Sequence, residues 1–237
     1  MKVFKAAILL LLTGITVFSV YKIAVTELNY SREKEKNRVT ADKFTTPEEG
    51  EDDCPIKVDF SGLSKQNPDI AGWLYCENTE INYPVVKAAD NSYYLRKSFD
   101  GSYSIGGTIF ADYRVSEDLS DPHIIIYGHN MHNKSMFSML TEYSKGDFYR
   151  EHPFIWLITP EKSYRLRVVS GFTVSPDSDI YRLRGHDELK SFSGDCVRRS
   201  DFISEKTSGE IIKVVTLSTC AAGNRGKRYV VTACAEK

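Results

Sequence analysis

Short β-strand patterns recur through most of the chain, and this recurrence restricts the fold more than any other feature of the sequence. The patterned runs are five to eleven residues long and rich in β-branched and aromatic side chains. Eight runs are predicted as strands, at residues 72–76, 81–86, 107–111, 123–127, 154–159, 163–173, 211–217 and 228–233. Eight strands in so short a chain predict a barrel.

Helical patterns interrupt these strands at about residues 60–66, 91–97, 134–143 and 186–203. The last of them lies between two predicted strands and is therefore interpreted as an insertion. The predicted fold class is mostly β, an eight-stranded barrel with appended helices.

An apolar run over residues 6–25 precedes the strands and is long enough to span a bilayer. It follows Lys2 and Lys5 and is broken only by Lys22, whose amine can reach the membrane interface. We predict an uncleaved anchor rather than a cleaved signal peptide, because no small-x-small cleavage site follows the run. The N-terminal lysines favour a cytoplasmic N-terminus, although basic residues beyond the run weaken this argument. The expected location is the cell membrane, with a single span and an extracytoplasmic body.

Residues 26–55 are dense in charge and poor in large apolar side chains. This segment is predicted to be a stalk, first helical and then loose, that acts as a solvated spacer. The predicted organisation is thus a cytoplasmic tip at residues 1–5, a transmembrane anchor at 6–25, the stalk at 26–55 and a globular domain at 56–237.

Composition restricts the classes of partner and site. The formal net charge of −1 argues against a protein that binds nucleic acid. The five cysteines have irregular spacings that fit neither a disulfide framework nor a paired zinc motif. We predict no cofactor, no metal site and at least one reactive thiol. Four of the cysteines are interpreted as small buried or half-exposed residues, with a disulfide among them left open: Cys54, Cys76, Cys196 and Cys234.

Three reactive side chains lie at the ends of strand patterns. The run 211–217 leads to Cys220, the run 123–127 is followed closely by His129, and Arg228 begins the last run. Thiol catalysis on a carbonyl needs a nucleophilic thiolate, an acid/base that protonates the leaving amine, and a donor to the oxyanion. Cysteine, histidine and arginine can fill these three roles.

The order of these features resembles the sortase family, and class B most closely. The resemblance rests on His129 in Tyr-Gly-His, on Cys220 at the end of Thr-Leu-Ser-Thr-Cys, and on Arg228 eight residues later. It covers roughly residues 58–234, including the helical insertion. Further matching segments are residues 67–74, 81–86, 90–95 and 107–112.

The resemblance implies a sortase-type barrel and a membrane-held transpeptidase of Gram-positive bacteria. Cys220 would attack the threonine carbonyl of a C-terminal sorting signal, His129 would act as acid and base, and Arg228 would stabilise the oxyanion. The implied partners are secreted proteins with an Asn-Pro-x-Thr or related Pro-x-Thr signal, and an amine of peptidoglycan or of its lipid-linked precursor.

Some residue assignments stay open from the sequence alone. Arg225 competes with Arg228, although only Arg228 is followed by the aromatic-Val-Val sequence of the family. Asp112 is a candidate to orient the histidine, but a turn or strand-end role is favoured. Substrate binding is further assigned to residues beside the candidate nucleophile or along the same groove: Ser218, Thr219 and Tyr127.

Competing functions use the same groups differently. A hydrolytic cysteine peptidase would let water resolve the acyl-enzyme, although His129 before Cys220 excludes the papain-like chain order. An anchored binding module would leave Cys220 inert. A pilus-polymerising sortase would take its amine from a lysine of another protein.

Overall fold

The computed structural model describes residues 2–48, 54–205, 207–221, 223 and 226–237. The strands in these residues are β1 (Thr45–Pro47), β2 (Ile56–Val58), β3 (Ile70–Tyr75), β4 (Asn82–Val86), β5 (Ile109–Ala111), β6 (His123–Tyr127), β7 (Phe154–Ile158), β8 (Ser163–Val174), β9 (Ile211–Cys220) and β10 (Arg228–Glu236). The α-helices are α1 (Lys2–Phe44), α2 (Phe60–Gln66), α3 (Gly146–Glu151) and α4 (Leu189–Arg199). Short 3₁₀ helices occupy Tyr93–Arg96, Phe137–Ser144, Asp179–Tyr181 and His186–Glu188.

Strands β3 to β10 form a closed barrel in the order β10-β8-β7-β3-β4-β5-β6-β9, which confirms the predicted eight-stranded fold. The pairs β4–β5 and β6–β9 are parallel, and the other neighbouring pairs are antiparallel. Strand β9 extends past the predicted end at residue 217, because the polar residues up to Cys220 pair with β10. Closure pairs every barrel strand on both sides and leaves no exposed edge.

Alternation along β10 explains how the barrel has two apolar faces. Tyr229 and Val231 contribute to the core inside the barrel. Val230 and Cys234 instead pack outside the barrel in a second cluster that includes Phe192 of α4. Successive side chains of a strand point to opposite faces. The predicted helical insertion between β8 and β9 therefore covers the outer face that this alternation leaves apolar.

The first helix is continuous through the apolar run and the charged segment. The apolar run makes α1 long and apolar enough to cross a membrane. At 43 residues, it extends for about 65 Å.

The C-terminal part of α1 contacts the barrel, which differs from the prediction of a solvated spacer. Ala41 and Phe44 are each 5% exposed and share an apolar cluster with Trp73. Lys34 forms an ion pair with Glu80 at 2.9 Å. Ala41 and Phe44 are three residues apart and therefore lie on the same face of the helix, the face that packs on the barrel. The boundaries of the predicted domains stay a prediction.

Other local differences concern short elements. The predicted helices at residues 91–97 and 134–143 are short 3₁₀ helices, whereas α2 matches its prediction. The predicted helix 186–203 is a 3₁₀ turn followed by α4. The β1–β2 pair and α3 were not predicted from the sequence, because three-residue strands and a six-residue helix have little periodicity.

Candidate active site

Strand register brings the three candidate catalytic side chains to one end of the barrel. Cys220 and Arg228 are directly opposite residues of the antiparallel pair β9–β10. Strand β6 runs parallel to β9, with Tyr127 in register with Ser218. His129 and Cys220 each lie two residues beyond that registered pair. Both residues therefore lie at the same end of the barrel.

The backbone that follows β6 is tied to the end of β9. The Gly128 amide donates to the Ser218 carbonyl at 3.1 Å, and the Thr219 hydroxyl donates to the Gly128 carbonyl at 2.8 Å. The Asn130 side-chain amide donates to the Cys220 carbonyl at 2.8 Å. A side chain at Gly128 would meet the Phe137 ring at 2.7 Å, so this position requires glycine. These contacts fix the chain on both sides of His129.

A backbone carbonyl of the 3₁₀ helix Tyr93–Arg96 orients the His129 imidazole. Its Nε2 lies 3.0 Å from the Leu95 carbonyl oxygen. Because a carbonyl only accepts, Nε2 carries the hydrogen and Nδ1 is the nitrogen that can exchange a proton. Gly107 has a φ of +61°, and a side chain there would come within 2.8 Å of the same carbonyl oxygen. The approach of the Leu95 carbonyl to the histidine therefore depends on this glycine.

The surroundings of His129 favour its neutral form. Burial lowers the pKa of the imidazole below its ordinary value, and the hydrogen bond to Leu95 opposes that shift. The nearby cations of Arg96 and Arg228 lower the pKa further. Desolvation and like charge both disfavour an imidazolium. An imidazole that is neutral at rest can accept a proton during a reaction and then give it up, which suits an acid/base.

Cys220 differs from the other thiols in exposure. It is half-buried, whereas the cysteines interpreted from the sequence as structural residues are buried, as predicted. Burial raises the pKa of Cys76 to about 11 and the pKa values of Cys196 and Cys234 to about 12. Thiols of that kind are poor nucleophiles because the thiolate is the reactive form.

A cavity of about 520 Å³ opens over the strand ends. The predicted site residues that line it are Tyr127, His129, Ser218, Thr219, Cys220 and Arg228. The other lining residues are Asn91, Leu95, Phe110, Asp112, Tyr113, Arg114, Gly128, Pro176 and Tyr181. The lining comes from strands β5, β6, β9 and β10 and from the segments that connect the barrel strands.

The three predicted substrate-binding residues line the cavity, but their hydroxyls already have protein partners. Tyr127 donates to Asp112 at 2.8 Å, and the Ser218 hydroxyl lies 2.9 Å from the Tyr181 hydroxyl. Thr219 donates to the Gly128 carbonyl, as described above. Their side chains therefore shape the wall, and any bond to a bound peptide would have to share these hydroxyl groups.

The contacts of Asp112 do not include the histidine. Asp112 directly follows β5, as the strand-end interpretation expected, and is fully buried. Its carboxylate accepts from Arg114, Tyr127 and Asn91. The rival arginine Arg225 lies outside the described residues. Within the described residues, no cluster of three or more His, Cys, Asp or Glu side chains is arranged to hold a metal ion.

Sequence reasoning missed the residues that support the site through their backbone or amide groups. The partner of His129 is a main-chain carbonyl, and any residue at position 95 would supply one. Asn130 directly follows His129 in the sequence, and this adjacency is the one signal that could have identified it. Tyr181 comes from the 3₁₀ turn after β8, where no motif marks it.

The sequence and the fold of this chain are similar to those of known proteins. The sortase domain family model matches residues 74–236. The sortase B of Listeria monocytogenes is 31% identical over 222 residues, which cover 89% of this chain and 87% of that protein. The sortase B of Staphylococcus aureus is 29% identical over 237 residues, which cover 98% of this chain and 97% of that protein.

Solved structures show the same likeness. A Staphylococcus aureus sortase B–substrate complex has a TM-score of 0.68 and 31% identity, and the match covers 75% of this chain and 84% of that one. A sortase B from B. anthracis has a TM-score of 0.74 and 28% identity, with 89% of this chain and 99% of that one covered.

The chain belongs to the sortase family of enzymes. Within that family its relatives in sequence and in structure are class B sortases, as the resemblance in the sequence indicated.

Proposed function

We propose that this protein is a membrane-held cysteine transpeptidase that cleaves a C-terminal sorting signal after threonine and transfers the protein to a cell-wall amine. The observation that carries the proposal is the strand register. Cys220 is opposite Arg228, and the strand before His129 runs parallel to β9, so His129 lies at the same end of the barrel. These groups line one open cavity. The likeness to class B sortases supports the same assignment.

The first half-reaction forms a thioester. The Cys220 thiol passes its proton to Nδ1 of the neutral His129. The resulting thiolate attacks the threonine carbonyl carbon, and the carbon–nitrogen bond to the next residue breaks. The leaving nitrogen takes a proton from His129, so that the downstream peptide departs as a neutral amine. The Leu95 carbonyl holds the Nε2 hydrogen, so Nδ1 is the nitrogen that transfers the proton.

The second half-reaction reverses these roles. An incoming amine attacks the thioester carbon, the carbon–sulfur bond breaks, and the amine proton passes to His129. His129 returns that proton to the departing sulfur, which restores the Cys220 thiol and the neutral imidazole. An amine of peptidoglycan or of its lipid-linked precursor would give a protein attached to the cell wall.

Arg228 is assigned to the charge that develops on the carbonyl oxygen in both half-reactions. Its guanidinium is cationic at any relevant pH and presents several donors in a plane. Its position opposite Cys220 in the β9–β10 pair supports this assignment. Donors aimed at a developing oxyanion are often the largest single contribution to rate.

The proposed location is the cell membrane, with the barrel outside the cytoplasm. The support for this is α1, whose apolar part is long enough to cross a bilayer and whose other end packs on the barrel. The proposed peptide partners carry a Pro-x-Thr type signal. External protease added to intact protoplasts should remove the barrel if this topology is correct.

A peptide-library cleavage assay tests the proposed reaction. The full-length protein in detergent would be incubated with peptides that differ around a Pro-x-Thr core, with and without added amines, and the products read by mass spectrometry. We expect cleavage after threonine and an amide product that appears only when an amine is present.

The same assay separates the rival activities. Cleavage with water as the sole acceptor, whatever amine is added, would make the protein a hydrolytic peptidase. Transfer only to the lysine of a second protein would make it a pilus-polymerising enzyme. Absence of both cleavage and iodoacetamide labelling at Cys220 would leave an anchored binding module.

A further inference from the structure

An ion pair on the cavity wall lies apart from the proposed catalytic groups. The fully buried Asp112 carboxylate accepts from Arg114 Nε at 2.7 Å and from Arg114 Nη2 at 2.8 Å. Tyr127 donates to the same carboxylate at 2.8 Å and Asn91 at 3.1 Å. Burial alone would raise the pKa of Asp112, but these donors hold it below its ordinary value. The carboxylate is therefore charged and paired.

Arg114 also reaches a second element of the wall. Its Nη2 donates to the Tyr181 carbonyl at 3.0 Å, across 67 positions of sequence. Tyr181 belongs to the 3₁₀ turn Asp179–Tyr181 in the segment between β8 and α4. The two hydrogens of a single nitrogen thus serve Asp112 at the end of β5 and Tyr181 in that segment. One guanidinium joins two walls of the cavity.

The tied turn is close to the proposed nucleophile. The Tyr181 hydroxyl lies 2.9 Å from the Ser218 hydroxyl, and Ser218 is two residues before Cys220 on β9. The Tyr181 ring stacks against Tyr127 with centroids 6.2 Å apart and planes 27° apart. A displacement of this turn would therefore change the side wall of the cavity.

We propose that Arg114 is a positioning residue that fixes the 179–181 turn against β5 and so sets the width of the substrate groove. This inference rests on the proposed function, since it concerns the peptide that the cavity accepts. The charge of Arg114 is neutralised by Asp112, so its role is geometric. A groove of fixed width is organised before the peptide binds, which lowers the entropy lost on binding.

The chemistry of the side chain makes a sharp prediction about lysine. Arg114→Lys keeps a cation beside Asp112, but an ammonium cannot form the two parallel bonds to the carboxylate together with the bond to Tyr181. We expect Arg114→Lys to raise the KM for a sorting peptide about tenfold while kcat changes by less than about threefold, because the tie affects substrate and transition state alike.

Amide exchange in the unliganded protein tests the tie without any substrate. Hydrogen–deuterium exchange read by mass spectrometry should become about tenfold faster over residues 178–182 in Arg114→Lys, because the loss of the bond lowers the local opening free energy. The rate of iodoacetamide labelling at Cys220 should be unchanged. A cleavage-inactive wild-type protein would refute the proposed function, whereas unchanged exchange over this segment would refute the tie.

Two further variants keep the test interpretable. The double variant Asp112→Asn/Arg114→Gln removes the buried charge together with its partner, so it avoids the unfolding that an unpaired buried carboxylate would cause. It should show the same rise in KM. Arg198→Gln removes an exposed arginine that pairs with Asp195 on α4, and it should leave KM and exchange unchanged.

A different pattern would overturn the inference. A fall in kcat with KM unchanged would place Arg114 at the reacting atoms rather than at the groove wall. A slower labelling of Cys220 in Arg114→Lys would show that the ion pair acts on the nucleophile. An effect of Arg198→Gln on KM as large as that of Arg114→Lys would mean that the change reflects the overall charge of the protein and not the position of Arg114.

Discussion

The two ends of strand β9 place polar groups in opposite environments. At its start, Lys213 is 2% exposed, and its ammonium donates to the Leu119 carbonyl at 2.7 Å and to the Asp121 carbonyl at 2.5 Å. At its other end, Cys220 is half-buried at the mouth of a cavity. Burial lowers the pKa of Lys213 to about 8, the largest effect on that amine.

The difference shows how one strand can serve both stability and chemistry. At the Lys213 end, a buried donor is satisfied by backbone acceptors of the connection between β5 and β6. At the Cys220 end, the partners Asn130 and Thr219 bind backbone atoms, and the reactive side chains stay open to the cavity. Substitutions at the two ends should therefore separate into losses of stability and losses of turnover.

The largest expected effect is on turnover, at the Cys220 end of β9. Cys220→Ala should lower peptide cleavage and transfer at least about a thousandfold, because the thiolate is the proposed nucleophile. The measurement is turnover of a fluorogenic sorting peptide. Cys196→Ala, at a buried thiol, serves as the control and should retain turnover. Comparable turnover in Cys220→Ala would contradict the mechanism.

At the Lys213 end of β9, substitution should affect the stability of the fold. Lys213→Ala leaves two carbonyl oxygens without their donor and opens a cavity, so it should lower the free energy of unfolding by about 2–4 kcal/mol. Urea denaturation followed by tryptophan fluorescence measures this. Turnover per folded molecule should stay close to that of the wild type. A large loss of turnover in a folded variant would show that the two ends are coupled.

The stability that Lys213 contributes should depend on pH. The folded pKa of Lys213, about 8, lies below the value of about 10.4 for an unfolded lysine. Between these values the unfolded state binds more protons, so the stability of the folded state rises with pH in that window. The stability gap between wild type and Lys213→Ala should therefore widen from pH 7 to pH 9.5. A constant gap would mean that the amine titrates normally.

Arg228 should show a smaller effect, confined to turnover. Arg228→Lys keeps the charge but loses the planar set of donors, so kcat should fall at least about tenfold, equivalent to roughly 1.4 kcal/mol. Steady-state kinetics on one peptide separate kcat from KM. The stability of the variant should be unchanged. A larger loss in Arg225→Lys would assign the role to the other arginine.

The smallest expected effect concerns the protonation of His129. Removing the cation in Arg228→Gln should raise the pKa of the imidazole, because the Arg228 charge is one of the causes that lower it. The shift should be upward but incomplete, since burial is the larger cause. NMR titration of the histidine signals in both proteins measures it. A downward shift would show that Arg228 and His129 do not interact as described.

Local patterns in the sequence predicted much of this protein. The two-residue period of β-branched runs identified the eight barrel strands, and strand-terminal positions singled out His129, Cys220 and Arg228. Apolar length alone identified the helix that is able to cross a membrane. These features depend on residues that are close together in the sequence, so they can be predicted without the tertiary structure.

The partners of those residues were decided by the tertiary structure. The Leu95 carbonyl meets His129, Arg114 meets the Tyr181 carbonyl, and Phe44 docks on the barrel, although nothing in the local sequence indicates these pairings. Each contact joins segments far apart in the chain, and many residue types could supply a main-chain carbonyl. Only closure of the barrel fixes which strand ends and loops meet, because that depends on the register and order of all eight strands together.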